Sequence, residues 1–222
     1  YQIIKKDYNL NNSSFDLKIK AYSSKKVVIK NISLNLIGKH NVLNATAAIA
    51  VCLNLGIRID VIKKALRNFS GVQRRFTKLF IKDGKEFYVD YAHHPTEIYS
   101  VLDGLREVYK KRKIISVFQP HRYSRVKSLI KEFSISFNKS DLVILCPIYA
   151  AGEKKDKNYN QDKFAKLIST NSKVQVVNIE NEYELKKYLR RNLINREIVI
   201  GMGAGSISKW MRGLKGNIWK IY

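Results

Sequence analysis

The sequence has no run of the roughly 18 apolar residues that a membrane-crossing helix needs. Its opening, YQIIKKDYNLNNSS, lacks the apolar centre of a secretory leader. Only two cysteines occur in 222 residues, Cys52 and Cys146, far apart and outside any metal or redox spacing. A reduced, cytoplasmic setting is therefore expected, with no membrane partner. There is no initiator Met, which suggests a portion excised from a longer chain. The phosphate-loop pattern G-x-x-x-x-G-K-[ST] is absent. In GMGAGS (201–206), Ser206 stands where the dinucleotide fingerprint has its third Gly. A self-sufficient nucleotide site is thus not specified, and Gly203 and Gly205 are read as turn residues.

Acidic residues are scarce: 18 against 42 basic ones, for a net charge of +24. Such a balance raises the question of a nucleic-acid partner. Yet 30 of the 42 are Lys, they are spread over the whole chain, and no block of five like charges occurs. Lys, Ile and Asn are abundant together, as biased codon use produces. The charge is expected to draw anionic small ligands, nucleotides and sugar phosphates among them, rather than a specific nucleic acid.

At 45% hydrophobic and 11% aromatic the chain can bury a core of one large or two small domains. FDLKIKA and VVIKNISLNL alternate apolar and polar residues and predict strands within 15–36. NATAAIAVCLNLG predicts a helix capped by Asn44 and stopped by Gly56, and DVIKKALRNFSG a second, from Asp60 to just before Gly71. FTKLFIKDGKEFYVDY reads as a hairpin turning at Asp83-Gly84. Apolar runs at 114–118, 141–146, 174–179 and 198–201 then alternate with helical segments at about 125–138, 161–169, 181–191 and after 206. That alternation predicts an α/β domain, with a mainly parallel sheet covered by helices on both faces. The boundary is placed at residue 72, giving segments 1–72 and 73–222.

In such sheets ligands gather at the carboxyl ends of strands. DYAHHP, QPHRYSR, PIYAAGE and GMGAGS each follow a predicted strand. His93 and His94 are adjacent, so on extended backbone they point apart and one metal ion cannot easily take both. A capping loop with one structural histidine is the alternative. His121, Arg122 and Arg125 fall at a strand-to-helix junction; two guanidiniums on one helix face beside helix N–H groups would receive a carboxylate or phosphate. A solvated basic turn is the alternative. In GKHNVLNATAA, His40, Asn41 and Asn44 carry groups suited to a purine edge or to ordinary helix capping. Arg74 and Arg75 at the boundary could reach a phosphate or lie on the surface.

Taken in order, GKHNVLNATAA, GVQRRF, DYAHHPTEI, FQPHRYSR, IYAAGE and GAGS resemble the Mur ligase family of peptidoglycan synthesis, from about Phe15 onward. FQPHRYSR resembles the alanine-adding branch most closely, while DYAHHPTEI is near the sequences of several branches. The resemblance implies that 1–72 is the last part of a central ATPase domain and 73–222 a Rossmann-like C-terminal domain that receives the amino acid. It implies a ligase in which ATP activates the lactyl carboxylate of UDP-N-acetylmuramate as an acyl phosphate and the amine of L-alanine attacks. Arg122 and Arg125 would clamp the alanine carboxylate, with His121 in support. Tyr91 and His93 would line the amine end, His93 holding or deprotonating it. His40, Asn41 and Asn44 would meet adenine, and Arg75, rather than Arg74, with Asp90 would meet ribose or phosphate. A hinge at Gly71–Gln73 would close the two domains. The family's phosphate loop and Mg2+ ligands lie upstream of these motifs, so no metal site is expected within the chain, and without its N-terminal and central partner domains it is expected to be inactive. A sister ligase adding another amino acid or peptide, and a basic nucleic-acid-binding module, are the alternatives.

Overall fold

In a computed structural model, the structure describes residues 1–8, 12–20, 26–72 and 75–217. Two compact units emerge: Tyr1–Gly71 with Asp103–Lys110, and Val72–Leu102 with Lys111 onward. The break at residue 71 lies beside the expected boundary, but 103–110 groups with the first unit. Gln73 and Arg74 lie outside the described residues, and Gln73 is the last of the three expected hinge residues.

The first unit carries an antiparallel sheet, β1 (Gln2–Tyr8), β2 (Ser13–Ile19) and β3 (Val27–Leu34), in that order. Phe15 faces Ile32 and Leu17 faces Ile29, with the register shifting between them. At that irregularity Asp16 Oδ1 accepts the backbone N–H of Asn31 at 2.8 Å, and Asn31 takes a left-handed φ of 56°. Helices α1 (Lys39–Asn54) and α2 (Ile59–Asn68) place Val42, Ala45, Ile49 and Ile62 in the same core as Phe15, Leu17, Ile32 and Leu34. Each of these side chains other than Ala45 contributes about 1.5–3 kcal/mol through burial. The expected start of α1 needs correction. Gly38, at φ 96°, is the capping residue, and the Asn41 amide donates back to Ile37 O at 2.8 Å. Asn44 is therefore inside the helix. Gly56 ends α1 as expected, at φ 76°, its N–H donating to Leu53 O at 3.0 Å.

The second unit is built on a six-stranded sheet. It comprises β4 (Thr77–Lys82), β5 (Lys85–Asp90), β6 (Ile114–Phe118), β7 (Leu142–Leu145), β8 (Gln175–Asn178) and β9 (Ile198–Met202), ordered β4-β5-β9-β6-β7-β8. Only β4 is antiparallel to its neighbour. Asp83 (φ 50°) and Gly84 (φ 74°) turn the β4–β5 hairpin, the left-handed pair that matches strand twist. The crossovers carry α3 (Pro95–Val108), α4 (Tyr123–Ser128), α5 (Ile130–Ile135), α6 (Gln161–Ser172) and α7 (Glu182–Asn192), and α8 (Ile207–Asn217) follows β9. The single helix expected over 125–138 is two, because Leu129 leaves helical geometry (φ −121°, ψ 25°). Leu185, Leu189, Ile207, Met211 and Leu214 of α7 and α8 share a core with Val89, Val117, Ile144 and Val199. Phe118 meets Phe133 and Phe137 at 5.7 and 5.2 Å between ring centres, and Phe133 meets Phe164 of α6. Helices thus cover both faces, as the alternation predicts.

At the amino end of β5, Glu86 accepts Lys78 Nζ at 2.8 Å, the Tyr88 hydroxyl at 2.6 Å, and Arg112 Nη1. Arg112 Nη2 also donates to Gly84 O at 2.8 Å, tying the hairpin to the segment before β6. No helix among the described residues is long and apolar enough to cross a membrane.

Candidate active site

The carboxyl ends of four strands finish level. Asp90 pairs with Met202, Met202 with Phe118, and Phe118 with Leu145. The loops DYAHHP, GAGS, QPHRYSR and PIYAAGE therefore leave the sheet side by side. Close approach, not only turning, explains the glycines of the GAGS loop. A Cβ on Gly203 would stand 2.7 Å from Gln119 O, and one on Gly205 2.4 Å from Tyr149 Cγ. Gln119, 3% exposed, joins two of these loops: its Oε1 accepts the N–H of Ile207 and its Nε2 donates to Ser206 Oγ, both at 3.0 Å.

In the first loop Asp90 is 6% exposed. Its Oδ1 accepts Ala92 N–H and its Oδ2 Phe76 N–H, each at 2.7 Å. Burial raises its carboxyl above the ordinary value, against the pull of these two donors and of the Arg75 charge. Pro95 opens α3 as expected, and Glu97 Oε2 reaches back to the N–H groups of His93 (3.0 Å) and His94 (3.2 Å). His93 is half-buried while His94 is exposed, so the adjacent histidines do diverge. His93 Nδ1 lies 2.8 Å from Tyr91 O, and the Tyr91 ring stands edge-on to it at 5.1 Å. Among the described residues no group of three or more His, Cys, Asp or Glu is placed to hold a metal.

The QPHRYSR loop departs from its expected form. His121 and Tyr149 form an isolated parallel bridge: Tyr149 N–H donates to Pro120 O at 2.8 Å and Arg122 N–H to Tyr149 O at 2.9 Å. This extension holds Arg122 at φ 70°, ahead of α4 rather than in it, so Arg122 and Arg125 do not share a helix face. Nor is the start of α4 free for a ligand carboxylate. Ser124 N–H donates to Glu153 Oε2 at 3.1 Å, and Ser124 Oγ donates to Oε1. These bonds, with the Arg122 charge, hold the Glu153 carboxyl below its usual range.

What does assemble is a row of side chains. Arg125 Nη1 stands 3.1 Å from His121 Nδ1 and 3.3 Å from His121 O. The His121 ring lies 5.8 Å from that of His93 and stacks on Tyr149 at 5.6 Å. Burial, then the Arg125, His93 and Arg122 charges, lower the pKa of His121. Tyr91, His93, His121 and Arg125 are thus contiguous, with Arg122 exposed beside them. Tyr149, Glu153 and Gln119 complete the site without having been singled out from sequence. PIYAAGE was marked only as a loop on this rim, and nothing in its composition reveals which side chains turn inward.

The remaining expected residues divide between the two units. In the first unit His40 and Asn41 are half-buried and Asn44 exposed. His40 packs under Gly38, where a Cβ would lie 2.9 Å from His40 Cε1. Asn41 and Asn44, three residues apart, share a face of α1. In the second unit Arg75 is exposed, its N–H donating to Val72 O at 3.0 Å.

Residues 74–205 match the family model described as Mur ligase, glutamate ligase domain. A protein of Pelagibacter ubique named UDP-N-acetylmuramate–L-alanine ligase is 52% identical over 202 residues, covering 91% of this chain and 44% of that protein. One of the same name from Caulobacter vibrioides is 35% identical, covering 93% and 44%. The crystal structure of UDP-N-acetylmuramate-alanine ligase from Thermotoga maritima superposes with a TM-score of 0.75 at 25% identity, over 96% of this chain and 44% of that one. The chain spans less than half the length of these relatives. The matched residues contain the whole six-stranded sheet and the loops on its rim, and on that ground the chain belongs to the Mur ligase family.

Proposed function

We propose that this chain is the C-terminal part of an ATP-dependent ligase that joins L-alanine to UDP-N-acetylmuramate in the cytoplasm. The observation that carries the reading is the contiguous row Tyr91, His93, His121 and Arg125 on the strand rim, in a chain 52% identical to a relative of that name. Alanine offers a carboxylate, an amine and one methyl group, so its carboxylate must be the main handle. Arg125, with the exposed Arg122, provides forked donors for it. Tyr91 and His93 stand toward the amine. Only the unprotonated amine can attack, so an imidazole that accepts a proton there favours the reaction.

For the nucleotide, the exposed Asn44 amide, with Asn41 and His40 of the same unit, suits a purine edge, and Arg75 of the second unit suits a phosphate. Asp90 is committed through both oxygens to the backbone, so its part is to shape its own loop. ATP would supply the activation of the lactyl carboxylate as an acyl phosphate. We assign the Mg2+ ligands and the UDP-sugar site to sequence outside this chain, which covers 44% of the Pelagibacter relative.

The test uses the complete protein that carries this segment. Phosphate release should require ATP, UDP-N-acetylmuramate and L-alanine together, with the amide product identified by mass. Arg125→Ala removes a charge-assisted contact of about 1.5–3 kcal/mol, so the KM for L-alanine should rise about 10- to 100-fold. Ligation of a different amino acid or a peptide, with L-alanine ignored, would move the protein to a sister branch.

A further inference from the structure

The two histidines of the row are not equivalent. His93 Nδ1 lies 2.8 Å from Tyr91 O and 3.5 Å from Glu97 Oε2. A backbone carbonyl and a carboxylate only accept, so Nδ1 carries a proton and the neutral ring offers its lone pair at Nε2. His121 is built the other way. Arg125 Nη1 approaches its Nδ1 at 3.1 Å, and a guanidinium only donates. Nδ1 of His121 must therefore hold the lone pair, and the proton sits on Nε2. Protonating His121 would set two N–H groups against each other.

We propose that His93 and His121 are held in opposite tautomers, so that His93 accepts the proton of the amino-acid ammonium at Nε2 while His121 donates from Nε2–H to its carboxylate. The proton leaves the amine nitrogen for His93. The new imidazolium keeps its Nδ1–H on Tyr91 O. The freed lone pair attacks the acyl-phosphate carbon, the C–O bond to phosphate breaks as inorganic phosphate leaves, and the attacking nitrogen gives up its second proton to that phosphate. The rings are 5.8 Å apart, so the two ends of one amino-acid headgroup can engage them together. The surroundings divide in the same sense. His121 faces Arg125 of α4, Arg122 before it and His93 across the rim, all of which disfavour its cation; Glu153 alone favours it. His93 faces Glu97 of α3, together with Tyr91 and His121.

The assignment of substrate rests on the ligase reading; the tautomers do not. Long-range proton–nitrogen correlation spectra of the full-length protein, labelled with 15N-histidine, read them without any substrate. His93→Gln and His121→Gln identify the two signals. At neutral pH His121 should appear as the Nε2–H form, and His93 should become the Nδ1–H form once deprotonated. His121 as the Nδ1–H form or as imidazolium at pH 7, or His93 as the Nε2–H form, overturns the proposal even if ligation of alanine is confirmed. Correct tautomers in a protein indifferent to L-alanine would sink the ligase reading instead. In an active protein, His93→Gln should lower kcat by about 100-fold or more and abolish the acid limb of its pH profile. His121→Gln, which keeps an N–H donor, should retain that limb and raise the KM for L-alanine less than His121→Ala does. An acid limb lost in His121→Gln but kept in His93→Gln reverses the roles and refutes the assignment.

Discussion

Replacing Glu86 by Gln probes the electrostatic tie at the amino end of β5. Glu86 is 9% exposed in a strand that is buried throughout. Burial alone would raise its carboxyl, but hydrogen bonds from Lys78, Tyr88 and Arg112 outweigh it and hold the pKa at about 2, against an ordinary value of 4.5. At about 1.4 kcal/mol per pH unit that difference amounts to about 3 kcal/mol. The Lys78 and Arg112 side chains keep 39% and 25% exposure, so solvent screens part of it, and about 2 kcal/mol is expected at pH 7. The folded-state pKa lies below the unfolded one. The stabilisation is therefore complete above about pH 4.5 and is lost as pH falls towards 2. Urea unfolding followed by tryptophan fluorescence is suitable, because the two tryptophans are residues 210 and 219 and Trp210 packs on the core of the six-stranded sheet. The stability gap between wild type and Glu86→Gln should shrink steadily from pH 4.5 downward. A gap that stays constant from pH 7 to about 2.5 would refute the assignment of that stability to an ionised Glu86.

Two further substitutions probe the rim. Gly205→Ala sets a methyl group 2.4 Å from Tyr149 Cγ and 2.6 Å from Gln119 Oε1. It should push Tyr149 off His121 and, if the complete protein is the proposed ligase, raise its KM for L-alanine; steady-state kinetics on the purified variant checks this. Glu153→Ala releases Ser124 N–H and Oγ and with them the loop that carries Arg122 and Arg125. The KM for L-alanine should rise while that for ATP stays put, and an equal rise in both would point to general loosening.

β6, β7 and β9 were legible because each is a short apolar run rich in Ile, Val or Leu; Ile114–Phe118 is matched residue for residue. β1 was not anticipated. In QIIKKDY the two isoleucines are adjacent, so no alternation marks a buried face, and only Ile3 and Tyr8 are partly covered. Asn44 looked like a cap because of its residue type, but Gly38 ends the preceding chain with a left-handed turn that no side-chain pattern announces. The rim motifs could be located from their position after strands. Their internal geometry could not. The positive φ of Arg122 follows from its N–H bond to Tyr149 O, a contact between residues 27 positions apart. The occupation of the α4 start by Glu153 likewise depends on two loops meeting in space.

The order of the six strands has a consequence for how the domain is made. β9, the last of the described strands to be synthesised, belongs between β5 and β6 and bonds to both. Until Met202 has emerged from the ribosome, those two older strands each expose a bare hydrogen-bonding edge with nothing native to fill it. A nascent or prematurely terminated chain is therefore a candidate for chaperone capture, and this layer can close only by late insertion at its centre, not by growth from one side.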